Sequence, residues 1–148
     1  HTIGIHCYCN DYQVLYESVD SYLEDFWKAY DVILATTGVK AELVRFPGGS
    51  VNAYNKDTCK DIAEELTKQG FVFFDWNASL DDAVGEKEPE QLLINARFTT
   101  LDRKKVVMLL HDRVTNTALC LNDLIDQFPE YRMKTLNTKM EPVQFPMP

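Results

Sequence analysis

Four strand-like apolar runs in this chain each end in a residue able to do chemistry. They are His6 after "TIGI", Arg45 after "AELV", Asp75 with Trp76 after "FVFF", and His111 with Asp112 after "VVMLL". Neutral imidazole is a zinc-type ligand, which suits His6. An imidazole oriented by a carboxylate acts as a general acid near neutral pH, and His111 fits that role with Asp75 as its orienting partner. Arg45 keeps its proton, so it either binds an anion or holds down the pKa of a neighbouring carboxylate. The turn Pro47-Gly48-Gly49 lets the backbone approach a ligand and aim an N–H at a developing oxyanion. Trp76 offers an apolar face on which a sugar ring could stack. Each residue also has an ordinary use: a satisfied histidine, a surface ion pair, a helix or loop cap, a core tryptophan. Their joint placement at successive strand ends is what points to a site, because independent accidents would scatter.

The elements that must position these residues alternate. Strands are expected at "TIGIHCY", "AELVRF", "FVFFDW", "KVVMLL" and "RMKTL". Leu15, Val19, Tyr22, Leu23, Phe26, Tyr30, Ile33 and Leu34 follow helical spacing, and Gly38 supplies a C-terminal cap. A second helix carries Cys59, Ile62, Ala63 and Leu66 and ends at Gly70. Pro89 opens a third through Leu92, Leu93 and Ala96. A fourth runs through Ala118, Leu121, Leu124 and Ile125 and stops before Pro129. The acidic "NASLDDAVGEKEPE" reads as a long strand-to-helix loop, and the proline-rich "MEPVQFPMP" as a tail over the surface. Such alternation predicts parallel strands with outer helices, hence one α/β domain over 1–148.

The 148 residues suffice for a real core. A net charge of −8 argues against a nucleic-acid backbone or an anionic membrane as partner. No apolar run is long enough for a transmembrane segment, and the first residues do not read as a signal peptide. Cys7, Cys9, Cys59 and Cys120 match no staple framework and are expected to be free, buried thiols.

"HTIGIHCYCNDY", "RFPGGSVNAYN", "GFVFFDWNASLDDA" and "MLLHD", in that order, resemble the polysaccharide deacetylases, the NodB-homology carbohydrate esterases, and in particular the bacterial branch acting on cell-wall N-acetylglucosamine. The resemblance covers the whole chain. It implies a distorted (β/α) barrel and hydrolysis of N-acetyl groups on amino-sugar polymers such as peptidoglycan or chitin oligomers. A divalent metal, commonly zinc, would be held by an aspartate and two histidines, with a second aspartate as base. Position by position, His6 matches the first metal histidine and Arg45 the arginine that tunes the base. Asp75 and Trp76 match the fourth motif, and His111 the catalytic acid tuned by Asp75. Gly48 matches the residue whose N–H holds the oxyanion. Trp76, Pro47 and Tyr54 are the expected substrate contacts. By the same analogy the protein works outside the cell or at its surface.

The match also departs from the family. Asn10 stands where the second metal histidine is expected, and an amide oxygen is a poor zinc ligand beside imidazole. The family's first motif, a Thr-Phe-Asp-Asp-Gly strand end with the base and the metal aspartate, has no counterpart here, and Asp81-Asp82 lies at the wrong place in the order to replace it. The expectation is therefore an incomplete barrel with a crippled metal centre, either an enzyme or an inactive carbohydrate-binding or structural relative. Open strand edges in such a barrel invite a homodimer or a complementing strand.

Overall fold

The computed structural model describes every residue from His1 to Pro148, and the chain packs as two compact units. The first comprises His1–Asp75 with Thr135–Pro148, and the second Trp76–Lys134.

In the first unit the expected long helix is broken in two. Asp11 accepts from the amides of Gln13 and Val14 and starts α1, Tyr12–Leu15. Ser18 then accepts from Ser21 N at 3.0 Å and starts α2, Val19–Thr37. Two side chains that each cap an N-terminus divide one apolar stripe, since each competes with continuing the helix. Gly38 closes α2 in the left-handed conformation, φ 72°, as its position suggested. Strand β1, Leu43–Val44, pairs in parallel with β2, Val72–Phe73, and Ile5 bridges Val44 on the other side. Helix α3, Cys59–Lys68, joins β1 to β2. The ladders are shorter than the apolar runs, and Pro47, without an N–H, could not extend β1. Ile5, Tyr22, Phe26, Phe46, Ile62 and Leu66 are all at most 1% exposed and form the centre of this core.

The tail does more than cover surface. Asp75 N donates to Val143 O at 2.7 Å, Gln144 Nε2 to Phe73 O at 3.1 Å, and Met147 packs on the core. The chain's own C-terminal segment thus lies along the end of β2. The stretch "RMKTL" forms no strand, although Leu136 O accepts from Thr2 Oγ1 at 2.8 Å.

In the second unit, β3, Ala78–Ser79, lies inside the stretch read from sequence as loop and pairs in parallel with β4, Met108–Leu109. Helix α4, Pro89–Thr100, begins with its proline as expected. Thr99 Oγ1 donates to Ser79 O and accepts from Ser79 N, fastening α4 to β3. The fourth expected helix is two short pieces, α5, Thr115–Leu119, and α6, Leu121–Asp126, meeting at Cys120. A separate core gathers Leu80, Leu92, Ala96, Cys120, Leu124 and Phe128. No helix is long and apolar enough to cross a membrane.

Candidate functional site

His6 lies one residue past the Ile5 bridge, and its Nδ1 is 2.7 Å from Arg45 O. A carbonyl only accepts, so Nδ1 carries the proton and Nε2 is the basic nitrogen. The loop beyond is gripped by Asp25 of α2, whose carboxylate accepts from Tyr8 N at 2.8 Å and Cys9 N at 2.7 Å. Cys7 and Cys9 thus lie on this loop and in no strand. Burial, helped by the charge of Asp25 and by Cys9, pushes the Cys7 thiol up to about 11. Cys7 thus stays protonated at neutral pH and is a poor metal ligand.

Arg45 donates from Nε to Phe74 O at 3.2 Å and from Nη2 to Asp75 O at 3.3 Å, so its fork braces the end of β2. Burial lowers its pKa, while the Asp75 charge works the other way. The turn after it is locked from below. Pro47 is buried and its carbonyl accepts from Tyr16 Oη at 2.7 Å and Asn52 Nδ2 at 3.2 Å. Asn55, fully buried, donates from Nδ2 to the carbonyls of Gly49 and Ser50. Gly48 and Gly49 have φ of 73° and 92°, a region that L side chains rarely adopt. A Cβ on Gly48 would sit 2.9 Å from Tyr12 Cε2, so the Tyr12 ring fills the space of the absent side chain. Tyr54, half exposed, meets Tyr12 edge-on at 5.6 Å.

Asp75 is fully buried beneath this turn. It accepts from Ser50 N at 2.8 Å, from Ser50 Oγ, and from Phe145 N at 2.7 Å. Its carboxylate ties the Pro-Gly-Gly loop to the tail.

A hydrogen-bonded His–Asp pair lies in the second unit. Strands β3 and β4 run in register Ala78↔Met108 and Ser79↔Leu109, so the chains leaving them stay side by side. Asp81 turns through φ 54°, its N–H donating to Ser79 Oγ at 2.9 Å, and the next residue meets His111. Asp82 Oδ1 is 2.8 Å from His111 Nδ1, and Oδ2 accepts from His111 N at 2.7 Å. The Asp82 side chain is 1% exposed and that of His111 34%, a reachable ring anchored on a buried carboxylate. Burial works to raise the Asp82 pKa, but the bonds from His111 and Thr117 outweigh it and hold it below the usual carboxylate range.

The structure therefore changes several expectations. The orienting carboxylate on His111 is Asp82, while Asp75 is engaged by Ser50 and the tail. Pro47 belongs to the core, so its ring is no surface for a sugar. Trp76 is half-buried and Tyr54 exposed. All four cysteines are free, but Cys9 is exposed and Cys7 half-buried. Asp82 was within sight in the sequence: recognising "NAS" as a strand would have placed Asp81-Asp82 at a strand end. Asp25 and Ser50 carried no such signal, since each acts through a contact distant in sequence.

The residues present do not fit a catalytic zinc. Such a site takes three protein ligands with one position open. No group of three or more His, Cys, Asp or Glu side chains could hold a metal ion. Asn10, at the second histidine position, offers its Oδ1 to Cys7 Sγ, 3.9 Å away.

Comparison with known proteins agrees with the motifs. The chain is 29% identical, over 150 aligned positions, to a protein of Bacillus subtilis (strain 168) named as a polysaccharide deacetylase, covering 97% of this chain and 51% of that protein. The chain thus spans about half the length of that curated relative. The catalytic domain of a peptidoglycan N-acetylglucosamine deacetylase from Eubacterium rectale superposes on all of this chain with a TM-score of 0.94, at 27% identity and 70% coverage of that domain. A polysaccharide deacetylase of Bacillus cereus shares the fold with a TM-score of 0.84 at 20% identity, over 98% of this chain and 71% of that one. A CE4-family pseudoenzyme from Bacillus anthracis does so at 0.68 and 21%, over 86% of this chain and 41% of that one. No family model matches the chain. In sequence and fold alike the chain is similar to the NodB-homology polysaccharide deacetylases, with an incomplete form of their barrel.

Proposed function

We propose that residues 1–148 form one polysaccharide deacetylase-like domain that acts on, or binds, the N-acetyl groups of an amino-sugar polymer such as peptidoglycan or chitin oligomers, and that alone it carries only the acid side of that reaction. The observation that carries this is the His111–Asp82 pair, at 2.8 Å on a buried carboxylate. In amide hydrolysis the C–N bond breaks only as the nitrogen leaves as an amine, and it needs a proton to do so. His111 Nε2 would donate that proton, while Asp82 holds Nδ1–H and steadies the imidazolium. Arg45 and the Gly48 N–H are the groups proposed to meet negative charge, and Trp76 and Tyr54 the surfaces proposed for the sugar. A location outside the cell or at its surface is part of the same proposal, by analogy with the peptidoglycan deacetylase whose fold it shares. A second copy, or a strand from elsewhere, is proposed to cover the edge beside Ile5.

The failed fit to zinc favours a second reading, a catalytically inactive carbohydrate-binding or structural relative. A calorimetric zinc titration beside a His6→Ala control, with acetate release from N-acetylglucosamine oligomers, tests the first reading. We expect no tight zinc binding, no difference in the control and no acetate. Stoichiometric binding that His6→Ala abolishes, followed by acetate release, would overturn the acid-side-only reading. Quenching of tryptophan fluorescence by the oligomers, lost in Trp76→Phe, would mark the carbohydrate-binding form.

A further inference from the structure

The His111–Asp82 pair has a third member, on α5. Thr117 is 2% exposed and its hydroxyl donates to Asp82 Oδ2 at 2.8 Å. Thr37, Thr67 and Thr100, also helical, turn the hydroxyl back onto a carbonyl four residues earlier. Thr117, like Thr99 on Ser79, directs its hydroxyl across to another element. Oδ2 thereby receives two donors from different places, His111 N and Thr117 Oγ1, and Oδ1 is left to the imidazole. A carboxylate held through one oxygen by a single donor can still turn about its Cβ–Cγ bond. Two donors converging on that oxygen fix its plane.

We propose that Thr117 is a positioning residue of this pair: by donating to Oδ2 it fixes the Asp82 carboxylate so that Oδ1 holds His111 Nδ1–H and the ring's Nε2 edge keeps one orientation. The relevance to catalysis rests on reading His111 as the general acid, but the geometric claim does not. The groups facing Asp82 are His111 beyond β4, Thr117 on α5 and the Cys120 thiol where α5 meets α6, whose pKa burial raises with help from Asp123 and Asp82. The nearby Lys87 ammonium is taken up by the carbonyls of Asp81 and Val84.

The test is an NMR titration of the full chain with 13C-labelled aspartate carboxyls and histidine rings, in wild type, Thr117→Val and Thr117→Ser. Valine keeps the shape and removes the donor, whereas serine keeps the donor. The Asp82 midpoint should rise by about one pH unit in the valine variant, because a hydrogen bond to the charged form is lost. The serine variant should return it close to wild type. A folded valine variant with an unmoved Asp82 midpoint overturns the proposal, as does a serine variant that shifts as far as valine. Should valine not fold, the wild type decides: a slowly exchanging Thr117 hydroxyl proton that moves as Asp82 titrates supports the bond, and its absence overturns it. Where acetate release is measurable, kcat should fall several-fold in Thr117→Val with KM unchanged. Absence of both acetate release and oligomer binding in every protein would sink the deacetylase-like reading and leave the NMR result standing.

Discussion

Asp75 and Asp82 are both buried, and each accepts three hydrogen bonds, yet they serve opposite ends. Asp75 receives Ser50 N, Ser50 Oγ and Phe145 N, all fixed parts of its own unit. Asp82 receives His111 N and Thr117 Oγ1, and its third partner is a titratable ring that reaches solvent. A carboxylate satisfied wholly by backbone and hydroxyl donors is a clamp. One that holds an imidazole in reach of solvent is, in the function proposed above, the orienting half of a proton-transfer pair. The same side chain becomes architecture or chemistry according to whether one of its donors can itself gain and lose a proton.

The sharpest way to break this comparison is to remove the clamp. Asp75→Ala leaves three donors without an acceptor in a buried place, and a loss of roughly 3 kcal/mol or more is expected. Urea denaturation measures it. A loss below about 1 kcal/mol would mean water satisfies those donors and Asp75 is no clamp.

Gly48→Ala comes next. The left-handed backbone costs an L side chain about 1–2 kcal/mol, and the contact with Tyr12 adds to this unless the ring gives way. Tyr12→Ala in the same protein should recover the contact portion and leave the backbone portion. Full recovery in the double variant would show that φ at Gly48 relaxes.

These two residues also show what the sequence discloses. Parallel strands, the helix over Pro89–Thr100, the Gly38 cap and the special turn after Arg45 were legible, because each depends on local pattern: apolar runs, proline and glycine. The division into α1 and α2 was not, since the apolar stripe runs unbroken past the capping side chains of Asp11 and Ser18. The exchange of roles between Asp75 and Asp82 was hidden for another reason. A two-residue strand at Ala78–Ser79 leaves almost no periodic signal, and only its register with β4 brings Asp82 to His111. The Asp75 role depends on Phe145, at the far end of the chain.

The smallest expected effect tests the chemical side of the comparison through pH. The Asp82 pKa is lowered in the folded protein, so its bonds add stability that is fully present above the ordinary carboxyl value, about 4. As pH falls through the lower folded value, the group takes up a proton and that contribution disappears. Asp82→Asn cannot ionise, so the variant should be less stable than wild type at pH 7, by about 1 kcal/mol. The gap should narrow as the solution is made more acidic than pH 4. Urea midpoints across the acid range measure both. A gap that stays constant with pH would mean the charge of Asp82 contributes nothing beyond its shape, and the carboxylate would then join Asp75 as a structural fixture.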